Sequence, residues 1–199
     1  MEHAEVVRRR RMVRAFDGRP VPAPALERVL AAARRAPSAG NTQGLDLVVL
    51  EGHGPVARYW ETTMPDPGRR AAFTWQGLVH APVLVVPYVR PSAWAERYAE
   101  DDKAPSGLGH ESAWSVPYWW VDGGMAVQLL LLAAVDEGLG ACLFGQFDHE
   151  PAVRALLGVP DDRRALGTIA LGHPAPDEVG RSAGRPRRPL DEVVHRGGW

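Results

Sequence analysis

The sequence holds a single cysteine, Cys142, so it can form no internal disulfide and no cysteine-based zinc site. A reducing, cytoplasmic setting is the expectation. Charge of one sign is also missing: 23 Lys plus Arg against 24 Asp plus Glu leaves a net charge of -1. A nucleic-acid partner, whose phosphates demand a basic face, is therefore not expected. Long apolar runs are absent too. The longest lies within residues 125–135, is broken by Gln128 and falls well short of the roughly 18 residues a membrane-spanning helix needs. It reads as a buried helix, and no membrane is expected. The opening MEHAEVVRRRR carries no apolar stretch of the signal-peptide kind. No H-E-x-x-H, Walker lysine or acidic calcium loop occurs, so metal catalysis has no support.

What is present suits one globular domain over residues 1–199: hydrophobic residues make up 45% and charged residues 24%, ordinary values for a soluble fold. Spacing predicts short helices at 4–12, 55–59 and 151–157, and longer ones at 24–36, 69–79 and 121–137. The 121–137 helix is apolar almost all round, which marks it as central. Strands are expected at 45–50, 83–89, 141–147 and 164–171. Pro87 suggests that 83–89 is an edge strand or ends one. Residues 92–117 read as a long irregular segment of the lid or binding kind. Helices and strands mix without the regular alternation of a doubly wound sheet. Seven tryptophans are many for this length, and Trp114, Trp119 and Trp120 crowd one segment. Packing and a flat ligand both account for them.

Three stretches carry chemistry. APSAGNTQ (36–43) spends Ser, Gly, Asn, Thr and Gln in six consecutive positions. Its APSAG resembles a nucleophile elbow, G-x-S-x-G, with Ala36 in place of the first glycine, but that motif leaves a strand and enters a helix, and here the order is reversed. GLGACLFG (138–145) lacks the third glycine of a dinucleotide fingerprint and follows a helix; its first glycines read as helix C-caps. Two arginine clusters, Arg8 to Arg14 and Arg185 to Arg188, could fork around one small phosphate if they converge. Each could equally be a solvated face.

Taken together, RRMVRAF (10–16), APSAGNTQ, GLGACLFGQFD (138–148), the LGVP and LGHP segments and the closing RPRRPLDEVV (185–194) resemble the FMN-dependent nitroreductase family. The resemblance runs along essentially the whole chain, in order. It implies an α+β, three-layer sandwich with a central mixed β-sheet flanked by helices, in an intertwined homodimer with FMN at the subunit interface. A C-terminal arm, about 173–199, reaches over the partner. By position, Arg10, Arg11 and Arg14 meet the phosphate, ribityl chain or ring edge, and Arg185 and Arg187 complete the phosphate clamp. Met12 stands among them where a serine is usual. Pro37, Ser38, Asn41 and Gln43 come to the flavin from the other subunit. Leu143, Phe144 and Gly145 line the ring face and its N5 edge.

No protein group is expected to be catalytic, because the flavin carries the hydride chemistry. The implied activity is a ping-pong NADH or NADPH oxidoreductase acting on nitroaromatics, quinones or a related small aromatic acceptor. Trp114 and Trp119 are candidate acceptor contacts. A specialised biosynthetic dehydrogenase or oxidase, or a flavin-binding dimer without turnover, are the alternatives. Two further departures from the family pattern are Gly44-Leu45 for Pro-Trp, and Gly145-Gln146 for an acidic residue and glycine.

Overall fold

Every residue of the VLVVPYV run is buried, which requires cover on both faces of the strand it forms. That strand is the middle of the molecule. The computed structural model describes residues 1–176, 180 and 183–199. Its strands are β1 (Leu45–Glu51), β2 (Val83–Val89), β3 (Gly140–Phe144), β4 (Arg164–Ala165) and β5 (Thr168–Gly172), in the spatial order β1-β2-β5-β3 with β4 also pairing β2. All strand pairs are antiparallel; the parallel component is one bridge, Met12 to Ala141.

Alternate residues of β2 enter different cores. Val83 and Val85 pack with α2 (Ala23–Ala33) and α7 (Tyr118–Asp136). Leu84, Val86 and Tyr88 pack with α3 (His53–Thr63) and α8 (Glu150–Leu157). Helix, sheet and helix thus form three layers. Fully buried Val29 and Leu130 hold the first interface, each worth roughly 1.5–3 kcal/mol of apolar burial. By length and composition α7 could cross a bilayer, but its contacts with α2, β2 and β3 are those of a core helix. One face of it stays open: Val121, Gly124 and Gln128 are exposed, and Met125, Leu132 and Val135 half-buried.

Several expected elements take a different form. β2 is interior, flanked by β1 and β5. Pro87 is tolerated because its carbonyl accepts from Leu166 N–H at 2.9 Å, so its missing N–H falls on the same side, at the break between β4 and β5. Gly167, at φ 122°, makes that break and divides the expected 164–171 strand. The expected 69–79 helix is two pieces, α4 (Pro67–Ala71) and α5 (Gln76–Val79). Gln76 Nε2 donates to the carbonyls of Arg70, Ala71 and Phe73, satisfying the acceptors that end the first piece. Residues 92–117 are not a plain loop either. They carry α6 (Pro91–Tyr98), which Pro91 opens at a position suited to proline, and two 3₁₀ turns. α1 (His3–Arg9) is shorter than expected, and the helix near residue 55 is longer.

The N-terminal arm after α1 lies along the outer side of β3, where Val13 N–H donates to Ala141 at 2.9 Å. It then meets the C-terminal segment: Ala175 N–H donates to Ala15 at 3.0 Å. Gly77 fixes this arm from below, because a Cβ there would collide with Ala15 and the Arg14 carbonyl. Gly77→Ala is expected to cost about 1–3 kcal/mol by overpacking, read as a lowered urea midpoint, with faster amide exchange at residues 13–16.

Beneath the sheet, the Tyr59 hydroxyl lies 2.7 Å from Thr168 Oγ1, and burial pushes its pKa up to about 12 from an ordinary value of 10. The folded state therefore holds this proton longer than the unfolded chain. Its contribution is fully present below pH 10 and is lost as pH rises towards 12. Urea midpoints measured from pH 9 to 12 should fall across that window, and Tyr59→Phe should flatten the slope.

Candidate functional site

The expected site residues fold into two groups. The first lies at the β3 edge. Arg10, Arg11, Met12 and Arg14 sit on the N-terminal arm, with Arg10 and Arg14 half-buried and Arg11 exposed. Arg14 Nη1 donates to Met12 O at 3.4 Å, and its guanidinium stands 5.0 Å above the Trp75 ring. It also approaches Gly180, so the C-terminal segment starts beside it. Arg185 and Arg187 are exposed further along that segment. The proposed arm over 173–199 includes residues 177–179, 181 and 182, which lie outside the described residues.

Ala141 turns its carbonyl outward to the arm. Leu143, two residues on, therefore turns its backbone to the same open edge. The Phe144 side chain points the other way, stacking on Trp60 with ring centroids 5.5 Å apart. Leu143 packs against the α2/α7 core. These residues can offer backbone to a ligand, while their side chains serve the interior.

The second group is the loop before β1. Gly40, Asn41 and Gln43 all have left-handed backbones, with φ of 63°, 55° and 54°. For the two non-glycine residues this costs of order 1 kcal/mol or more each, a kind of strain that collects at ligand sites. Its surroundings over-determine it. Ala39 N–H and Trp94 Nε1 both donate to Asp122 Oδ2, at 2.8 and 2.7 Å. Gln43 N–H donates to Ser38 Oγ at 3.1 Å, and Arg97 Nε to Gly40 O at 2.9 Å. The Asn41 and Gln43 side chains are left exposed. Gly44, in place of the family's proline, is required here: a Cβ would collide with the Trp94 indole.

A cavity of about 140 Å³ opens under Pro37, Ser38 and Gln43, reaching Trp94 and Asp122. A neighbouring one, of about 410 Å³, runs from Ala39 past Tyr98 and Leu108 to Trp114 and Tyr118. Trp114 is otherwise engaged in packing: its Nε1 donates to Leu108 O, and its ring contacts Tyr98, Tyr118 and Trp119. Trp119 is buried in the same cluster, and the exposed aromatics at this end are Tyr118 and Trp120.

Leu45 and Phe144 lie at the same end of the sheet but on its opposite edges. Three strand spacings, roughly 14 Å, separate the two groups. Sequence reasoning did not single out Asp122 or Arg97, which together with Trp94 build the loop. The signal for Asp122 was available in WWVDGGMA: a carboxylate inside an apolar helix needs donors from elsewhere. Among the described residues, no His, Cys, Asp and Glu cluster could hold a metal ion.

The profile described as "Nitroreductase family" matches residues 7–173. The chain belongs to the nitroreductase family. It is 31% identical over 212 residues to an NADH dehydrogenase of Thermus thermophilus, covering 94% of this chain and 91% of that protein. It is 31% identical over 231 residues to a 4-nitrobenzoate reductase of a Nocardioides species, covering 95% and 87%. Among solved structures, a nitroreductase family protein from Streptococcus pneumoniae superposes with a TM-score of 0.74 at 20% identity, covering 98% and 100%. A Desulfovibrio desulfuricans protein described as a nitroreductase in complex with FMN gives 0.68 at 23%, covering 100% and 98%. The three-layer α+β fold read from the sequence is thus the nitroreductase fold, and the relatives make the chain an oxidoreductase.

In this family member the Asp122 carboxylate is the tie between loop, α6 and α7. Asp122→Ala strands two donors and is expected to cost about 2–4 kcal/mol, with loss of amide protection at residues 39–43. Asp122→Asn keeps an acceptor oxygen and should retain most of that protection. Urea unfolding and hydrogen exchange read both.

Proposed function

We propose that the protein is an FMN-dependent NAD(P)H oxidoreductase, cytoplasmic and active as a homodimer, that reduces nitroaromatics, quinones or related conjugated acceptors. The observation that carries this reading is the placement of matching donors on opposite edges of one sheet. Guanidinium groups and an open strand edge lie at β3, and a strained polar loop lies at β1. A second copy, turned by a two-fold axis, offers its β1-edge loop to the first copy's β3 edge. The open face of α7, with exposed Val7 on α1, supplies apolar area for such a contact. So does the tail, where Leu190, Val193 and Trp199 are exposed by 76%, 54% and 103%.

The donor chemistry fits FMN. Arg10, Arg11, Arg14, Arg185 and Arg187 suit its phosphate, because guanidinium forks bind phosphate oxygens bidentately. Ser38, Asn41 and Gln43 of the partnering loop suit ribityl hydroxyls and the polar edge of the ring, since each amide both donates and accepts. The outward backbone at Leu143, with Gly145 just beyond the end of β3, suits the ring's N5 edge. Bound FMN would supply the hydride chemistry between NAD(P)H and the acceptor. The chain's part is to hold, orient and exclude water. Trp114 and Trp119 brace the wall of the cavity through which an acceptor reaches the loop. The 4-nitrobenzoate reductase relative, and an Archaeoglobus fulgidus relative described as NADH dehydrogenase/NAD(P)H nitroreductase, support this donor and acceptor class.

Purified protein reconstituted with FMN should be yellow, bleach with NADPH or NADH, and recolour with a quinone or nitroaromatic. Arg14→Ala with Arg187→Ala should weaken FMN binding by at least about a hundredfold, given roughly 1.5–3 kcal/mol per lost charged hydrogen bond. Fluorescence titration measures it. Colour that NAD(P)H does not bleach would leave a flavin-binding dimer, and flavin retention untouched by the arginine changes would remove the proposed clamp.

A further inference from the structure

The segment leaving β3 contains a side chain that the flavin reading does not use. Gln146 is only 4% exposed. Its Nε2 donates to Thr168 Oγ1 at 2.9 Å, and that hydroxyl also meets Tyr59 in the core. With residue 146 turned inward, its neighbour takes an unusual form. Phe147 adopts φ 47°, and its side chain is 86% exposed. The ring folds back over Gly145, where a Cβ would come within 2.7 Å of it. Any side chain at 145 would compete with the phenyl for that space.

A left-handed backbone strains a residue with a Cβ, and an exposed ring recovers little of that by burial. Nothing about Phe147 alone accounts for its conformation. The inward amide does, because releasing it would take the Gln146 donor from the buried Thr168 hydroxyl and leave the Tyr59–Thr168 pair one hydrogen bond short, in a site that water cannot easily enter.

We propose that Gln146 is a positioning residue: its bond to Thr168 holds Phe147 in the left-handed conformation, and the ring so presented forms the outer wall of the acceptor site. The positioning stands on the geometry alone. The acceptor wall rests on the flavin reading, and the test separates the two.

The first arm needs no flavin. Thermal midpoints are measured for Gln146→Met, which keeps length and removes the amide, for Phe147→Gly, and for the pair. Phe147→Gly should raise the midpoint by about 2 °C or more in the native background, since it relieves strain and loses little packing. It should do nothing in the Gln146→Met background, where the loop has already relaxed. Equal shifts in both backgrounds overturn the positioning role.

The second arm uses FMN-loaded protein and the ratio of kcat/KM for a two-ring quinone to that for p-benzoquinone. Gln146→Met and Phe147→Ala should change this ratio in the same direction by about five- to tenfold, the scale of one lost aromatic contact. The double variant should go no further. A ratio unchanged by either variant overturns the acceptor wall. Native protein that binds no FMN overturns the flavin reading and the wall with it, and the midpoints still decide the positioning role.

Discussion

The width of one sheet governs this molecule. Four strands side by side set the β1 edge apart from the β3 edge, and the chain places complementary chemistry on each. Neither edge is a site by itself. The β3 edge has cations and open backbone but little that discriminates a ring; the β1 edge has hydroxyl and amide groups but only Arg34 beside its small cavity. The rigidity of the sheet makes this separation permanent, because both faces of β2 are packed and no hinge divides the layers.

Strain on both edges is held by polar bonds, several of them anchored on the buried Asp122 and Gln146 side chains. At β1 the left-handed Asn41 and Gln43 are tied down through Asp122, Arg97 and the Ser38 hydroxyl. At β3 the left-handed Phe147 follows an inward glutamine. The two devices share a logic. A polar side chain is sunk where leaving it unpaired is costly, and the free energy of that pairing holds the adjacent backbone in a shape it would not choose. Preorganised backbone of this kind lets a ligand bind without ordering the loop first.

Much of the architecture was legible because burial leaves a periodic trace. VLVVPYV announced a strand and the run after Val121 a helix, and the ordered motifs announced the family. Errors arose where one side chain overrode a local pattern. Gln76 divides a helix by reaching back to three carbonyls, and Pro87 lies in an interior strand because its missing N–H faces a gap. The first depends on the reach of one side chain back over six residues, and the second on Leu166, far away in sequence. The candidate site was legible as a set of residue types, and the APSAGNTQ loop stood out by its run of small polar residues. Its supports were hidden because they come from residues 94, 97 and 122 and act through single hydrogen bonds.

The N-terminal arm carries a consequence for how the chain reaches its native state. Its bridges are to Ala141 and Pro174, contacts that span most of the chain. Such contacts close large loops and bring little until the sheet already exists. Docking of the arm therefore needs β3 in place, and it carries Val13 and Phe16 into the core beneath. A phosphate ligand gripping the arginines on it would favour the docked arm and, through Val13 and Phe16, the core that the arm closes.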